Sequence, residues 1–325
     1  MPDYRTFPPD ELIAEPELAE ATDATPVLEQ PKKSIPATLD ALAQQLSFVT
    51  DESYDWLRIT QALLLQKGQI IFQGPPGTGK TFIARKLAEF LTQDPERVTL
   101  VQFHPATTYE DFVQGLRPET GTSGAFTLRD GPLLQAAARA EQEPHATHVM
   151  IVDEINRANL PSVFGELYFL LEYRNEEVTL NYGDKFKLPK NLLLLGTMNT
   201  ADRSIAAIDS ALRRRFYIRD LRPEEVPMTD VLEHHLNHYA PDLKWLINLL
   251  DRANELIGDP DQSVGPSHFL LGDELNETRA RQTWEFTVMP TLREHFYGQP
   301  SRLDELTFDQ LRAYALTGDV DAAAD

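Results

Sequence analysis

The sequence predicts an α/β fold built on a five-stranded parallel sheet and followed by a smaller helical domain. Three observations lead to it. Ile70-Ile71-Phe72-Gln73 reads as an apolar strand running into Gly74-Pro75-Pro76-Gly77-Thr78-Gly79-Lys80-Thr81 and then into a helix from Phe82 to Leu91. Two further apolar runs, His145 to Val152 and Asn191 to Gly196, have the character of strands buried on both faces. They lead to polar tips, Asp153-Glu154 and Met198-Asn199. From Pro223 onward the apolar spacing is mostly helical, with Pro and Gly breaks.

The first stretch fits G-x-x-x-x-G-K-[ST], with Gly74, Gly79, Lys80 and Thr81 in the fixed places. Glycines let backbone N–H groups approach phosphate oxygens without a Cβ in the way. The helix that follows points its positive dipole end at the same anion. Residues Gly74 to Phe82 are therefore the expected nucleotide cradle. Lys80 is expected at the β- and γ-phosphates, and the Thr81 hydroxyl on Mg²⁺.

The chain then reads in order. Residues 1–36 are rich in Pro, Glu, Asp, Ala and Thr and are expected to form an acidic, disordered arm. Helical spacing follows from Ala37 to Gln66, with a helix start at Thr50-Asp51-Glu52. Arg97 to Phe103 reads as the second strand. His104 to Pro118 reads as a loop continuing into a short helix, Gly121 to Gly131 as a hairpin, and Pro132 to Ala140 as a helix. Two acids at the tip of a buried strand are costly without a task. Asp153 is expected to hold Mg²⁺ through water, and Glu154 to polarise the attacking water. Pro161 to Tyr173 reads as one amphipathic helix and Glu177 to Leu188 as a hairpin. Asn199 either bonds water or the γ-phosphate, or simply makes the turn. A helix ending in Arg213-Arg214-Arg215 leads to a fifth strand, Tyr217 to Leu221. The later helices are expected at Val231–Tyr239, Leu243–Ile257, Trp284–Tyr297 and Phe308–Leu316. The nucleotide-binding domain is thus expected over 37–222, and a helical lid with a short acidic tail over 223–325.

Composition excludes several classes. There is no cysteine, hence no disulfide framework and no thiolate site. No signal peptide or membrane-spanning run is evident, and a cytoplasmic location is expected. A net charge of −21 repels nucleic acid and acidic membranes, so the chain is not a bulk DNA binder.

At this point the chain resembles the AAA+ ATPases, and within them the McrB-like, MoxR-related branch. The resemblance covers about residues 68–298. It is carried by Phe103-His104 with Tyr109-Glu110-Asp111-Phe112, by Asp153-Glu154-Ile155-Asn156-Arg157-Ala158-Asn159, by Phe164-Gly165-Glu166, and above all by Met198-Asn199-Thr200-Ala201-Asp202-Arg203-Ser204 followed by Ala211-Leu212-Arg213-Arg214-Arg215-Phe216.

The resemblance implies a Mg²⁺-dependent nucleoside triphosphatase. ATP is favoured, as in most relatives, with GTP, the nucleotide of McrB, close behind. It implies Walker A roles for Lys80 and Thr81, Walker B roles for Asp153 and Glu154, sensor 1 for Asn199, and water positioning for Asp202. Arg213 or Arg214 is implied to reach the γ-phosphate of the neighbouring subunit, which requires a ring, expected to be a hexamer. A McrC-like nuclease or adaptor is the implied partner, with DNA contacted through the partner or the pore. Members that choose methylated DNA carry a separate reading domain before the phosphate loop. About seventy residues precede it here, so DNA specificity is expected in a partner. Gly265-Pro266-Ser267-His268-Phe269 lacks the lid arginine of many relatives, leaving His268 or another residue such as Arg203 to replace it. The competing expectations are a MoxR-type ring chaperone, a nucleotide-gated scaffold and, as a poorer fit, a small-molecule kinase.

Overall fold

A computed structural model describes residues 35–119, 125–201 and 210–317 of the chain. Its strands are β1 Gln69–Gly74, β2 Val98–Gln102, β3 Gln114–Pro118, β4 Phe126–Asp130, β5 His148–Asp153, β6 Val178–Thr179, β7 Lys185–Phe186, β8 Leu192–Asn199 and β9 Tyr217–Asp220. Five of them form a parallel sheet in the order β2-β5-β8-β1-β9, as the apolar runs predict. Alternation along each strand feeds two cores. Ile71, Met150, Val152 and Leu194 face one. Ile70, Phe72, Val149, Ile151, Leu193 and Leu195 face the other. Helices Leu39–Leu46, Asp51–Lys67 and Lys80–Thr92 cover the second face, and Pro132–Gln142 with Leu160–Leu170 covers the first.

Three elements differ from the expectation. The helix begun at Tyr109 ends at Phe112, and Gln114–Pro118 turns into a strand paired antiparallel with Phe126–Asp130. The hairpin is therefore longer than Gly121 to Gly131, and its tip lies outside the described residues. The helix expected over 161–173 is two short ones, Leu160–Phe164 and Leu167–Leu170. They are parted at Gly165, whose φ of +49° belongs to the left-handed region. The lid helix expected from Trp284 begins at Glu277 and passes through a π-helical turn, Trp284–Val288, before Met289–His295.

The C-terminal helices have a core of their own around Trp284, whose indole N–H donates to Leu306 O at 2.9 Å. The starts of β1 and β8 are joined by one half-buried cation. Arg174 donates to Gly68 O (2.9 Å), Leu192 O (2.9 Å) and Gln69 Oε1 (2.8 Å). Burial without a carboxylate partner pushes its pKa down to about 10. Arg174→Leu strips all three acceptors of this donor. It is expected to lower the free energy of unfolding in urea by about 2–4 kcal/mol. A variant as stable as its parent would show the clamp to be dispensable.

Candidate functional site

Ligand sites in parallel α/β sheets gather at the carboxyl ends of the strands, and here those ends are aligned by register. Gly74 of β1 stands opposite Asn199 of β8, Val152 of β5 opposite Gly196, and Gln102 of β2 opposite Asp153. Gly196 has to be small, since a Cβ there would come within 2.8 Å of the Ile71 side chain.

The loop from Gly74 to Gly77 has its carbonyls tied down one by one. Gly74 O accepts the Thr200 N–H at 3.1 Å. Pro75 O accepts the Thr78 hydroxyl at 3.0 Å and the Lys80 ammonium at 2.6 Å. Pro76 O accepts the Gly265 N–H at 3.1 Å and Gly77 O the Ser267 N–H at 2.8 Å, both from the lid. The N–H groups of Gly77, Thr78 and Gly79 donate to no acceptor among the described residues. Gly79 has φ +72° and heads helix Lys80–Thr92 with no side-chain cap, and a Cβ on it would meet open space. Unpaired loop amides, uncapped helix donors and room beside them make an anion cradle. Phe82, next along that helix, is half exposed.

Asp153 sits between two hydroxyls. Thr81 and Thr197 each donate to its Oδ1 at 2.6 Å. Thr197 Oγ1 also accepts the Glu154 N–H at 3.2 Å. Glu154 takes φ +52° and ψ +45°, a left-handed conformation that costs about 1–2 kcal/mol outside glycine. Its Oε2 is buried and accepts no hydrogen bond, though Arg157 Nε lies 3.4 Å away. Lys80 is held down to a pKa of about 8 by burial, against the opposing pull of Glu154 and Asp153.

Asn199 makes the turn. Its Oδ1 accepts the Ala201 N–H at 3.1 Å, and its backbone oxygen accepts Asn156 Nδ2 at 3.3 Å. It also lines a 530 Å³ cleft between Pro76 and Ala201 on one side and Gln262, Glu294 and His295 of the lid on the other. Asp202 and Arg203 lie outside the described residues.

The arginines lie elsewhere. Helix Ser210–Arg215 is joined to the start of β1, where Lys67 donates to Arg214 O at 2.9 Å and Gln69 Nε2 to Arg215 O at 2.8 Å. The phosphate loop lies at the other end of that six-residue strand, roughly 15–20 Å away at about 3.3 Å per residue. The side chains of Arg213 and Arg214 are exposed. Arg215 is committed within the chain. It donates to Tyr168 O at 2.7 Å, pairs with Glu172 at 3.0 Å and lies over the Tyr168 ring.

Donor chemistry fits a magnesium nucleotide. One hydroxyl and one carboxylate offer hard oxygens and leave the other coordination positions to water and phosphate, as Mg²⁺ requires. Among the described residues no group of three or more His, Cys, Asp and Glu side chains could hold a metal alone.

Comparison with known proteins now adds to the geometry. Residues 69–216 match the AAA domain of the dynein-related subfamily, and residues 245–304 match the McrB alpha-helical lid domain. The chain is an AAA+ protein of the McrB-like branch. This McrB-like chain is 37% identical over 265 residues to the type IV methyl-directed restriction enzyme EcoKMcrB subunit of Escherichia coli K12, covering 74% of the chain and 56% of that subunit. It is 28% identical over 203 residues to the type II restriction enzyme BsuMI component YdiS of Bacillus subtilis 168, covering 50% of the chain and 59% of that component. The match thus spans little more than half the length of either relative.

Sequence reasoning missed Thr197 altogether, and named Asn156, Gly265 and Ser267 only as parts of motifs, without their contacts to Asn199 and the phosphate loop. Thr197 had one signal, a polar residue at the end of the run Leu192 to Gly196. Thr197→Val keeps its shape and removes both bonds. It is expected to lower stability by about 1–3 kcal/mol in thermal or urea melts. Unchanged stability would mean that Asp153 and Glu154 need no such support.

Proposed function

We propose that this McrB-like protein is the Mg²⁺-dependent nucleoside triphosphatase of a ring-shaped motor, working in the cytoplasm with a nuclease or adaptor subunit of a restriction complex. The observation that carries the reading is the division of labour along the sheet. The phosphate loop and acid pair stand at one end, and the two exposed arginines stand a strand length away, too far to serve the same site.

Thr81 and Asp153 would hold Mg²⁺, which would draw charge from the phosphate oxygens. The amides of Gly77 to Gly79 and Lys80 hold the phosphates. Glu154, aimed by its left-handed turn and carrying a buried acceptor without a hydrogen bond, takes the proton of the attacking water. Asn199, whose Oδ1 is taken up by the turn, orients that water through its amide nitrogen from the adjacent strand tip, with Asp202 three residues on. Arg213 or Arg214 reaches the site of the neighbouring subunit, so turnover requires assembly. The restriction context rests on the names of the two relatives and on the McrB-type lid, which also tells against the chaperone reading. DNA is reached through the partner or pore, since the net charge of −21 repels a duplex. No helix among the described residues is long and apolar enough to cross a membrane.

Glu154→Gln is expected to cut turnover by about 10²–10⁴-fold while nucleotide-dependent assembly persists. The assay runs ATP and GTP at matched concentrations, with and without the partner, and reads the base preference directly. Unchanged turnover in this variant overturns the assignment.

Affinity should also depend on pH through Lys80. Phosphate raises the pKa of an adjacent ammonium. Below about pH 8 Lys80 is charged with or without nucleotide, so affinity is flat. Above it the free loop has lost the proton and binding must take one up, so affinity falls by up to about tenfold per pH unit. Calorimetric titration with a non-hydrolysable nucleotide between about pH 7 and 10 checks this, and a flat profile throughout would contradict it.

A further inference from the structure

The lid and the phosphate loop touch backbone to backbone. Gly265 and Ser267 donate their N–H groups to the carbonyls of Pro76 and Gly77. In a trans peptide the C=O and N–H of one plane point in opposite directions. Fixing Pro76 O therefore fixes the Gly77 N–H, and fixing Gly77 O fixes the Thr78 N–H, each pointing away from the lid. Those two amides have no other partner among the described residues. We infer that lid residues Gly265 to His268 are positioning residues for nucleotide binding, holding two phosphate-loop peptides in the orientation that presents their N–H groups to phosphate. The inference rests on reading the loop as a triphosphate site.

Glycine usage supports it. Gly265 has φ −81° and ψ 158°, a conformation open to any residue. Space alone demands glycine there. A Cβ would fall 2.1 Å from the carbonyl carbon and oxygen of Gly77 and 2.5 Å from Thr78 N. Gly77 is closed off by the same lid segment, since a Cβ on it would fall 2.5 Å from the His268 imidazole and 3.2 Å from Gly265 O. Each glycine makes room for the other segment, and the imidazole closes the joint. The adjoining stretch is fastened as well, with Gln262 donating to Ala201 O at 2.8 Å and Arg222 pairing with Asp261 at 3.2 Å.

The test uses the full chain and a fluorescent, non-hydrolysable triphosphate, with far-ultraviolet circular dichroism to confirm folding. Gly265→Ala should weaken binding and raise KM by about tenfold or more, while kcat at saturation stays within about threefold. His268→Ala should weaken binding by about three- to tenfold, and Ser267→Ala, which keeps the N–H, should stay within about twofold. A folded Gly265→Ala protein that binds as tightly as its parent overturns the inference. A parent that binds no triphosphate overturns the reading of the site instead. Amide hydrogen exchange on the unaltered chain decides the matter independently of any variant. With nucleotide bound, the Gly265 and Ser267 amides should be strongly protected, and exchange at open-chain rates overturns the inference.

Discussion

The pairing of β1 with β8 is the constraint on which the site depends. Its register sets Gly74 opposite Asn199, and the next pairing sets Val152 of β5 opposite Gly196, so three strand tips end side by side. A parallel sheet buried on both faces tolerates no slip, because moving one strand by a single residue would exchange its two apolar sets. Ile71 and Ile70, neighbours in sequence, belong to different cores for this reason. Packing of ordinary aliphatic side chains thereby determines where a carboxylate and a hydroxyl meet to within hydrogen-bond distance.

Polar order at the tips is built on top of that register. Asp153 has a hydroxyl from the phosphate-loop helix and one from β8 on the same oxygen. Glu154 is then forced into a left-handed turn whose amide leans on the Thr197 hydroxyl. The strain and the buried carboxylate oxygen both cost free energy, and a folded chain retains such features where surrounding contacts over-determine them.

Much of this was legible in the residues. Strands buried on both faces announce themselves as apolar runs, and Gly74 to Thr81 announces its own geometry because few loops need that glycine spacing beside a lysine. What stayed hidden depends on tertiary contact. Val113-Gln114-Gly115-Leu116 continues a helical pattern on paper, yet from Gln114 the chain pairs as a strand with Phe126–Asp130. Gly165 breaks a stretch whose apolar spacing suits one helix. Thr197 counts as an ordinary strand residue until Asp153 is placed beside it. Gly265 looked like part of a motif lacking an arginine. Its contact with Gly77, almost two hundred positions earlier, has no local signature at all. The arginine run offered Arg213 or Arg214, and the Tyr168 and Glu172 contacts hold the third, Arg215, within the chain.

The commitment of Arg215 has a mechanical side. Tyr168 belongs to the second of the two short helices that follow the acid pair, and its ring packs edge-on against Phe164 of the first. Arg215 therefore ties the segment that carries the exposed arginine pair to the short helices that follow Glu154. In the proposed ring, a neighbour docking on Arg213 or Arg214 would press, through Arg215, on the helices that follow this chain's own acid pair. Sites of the proposed ring would then stand in series, the state of one acting as a load on the next.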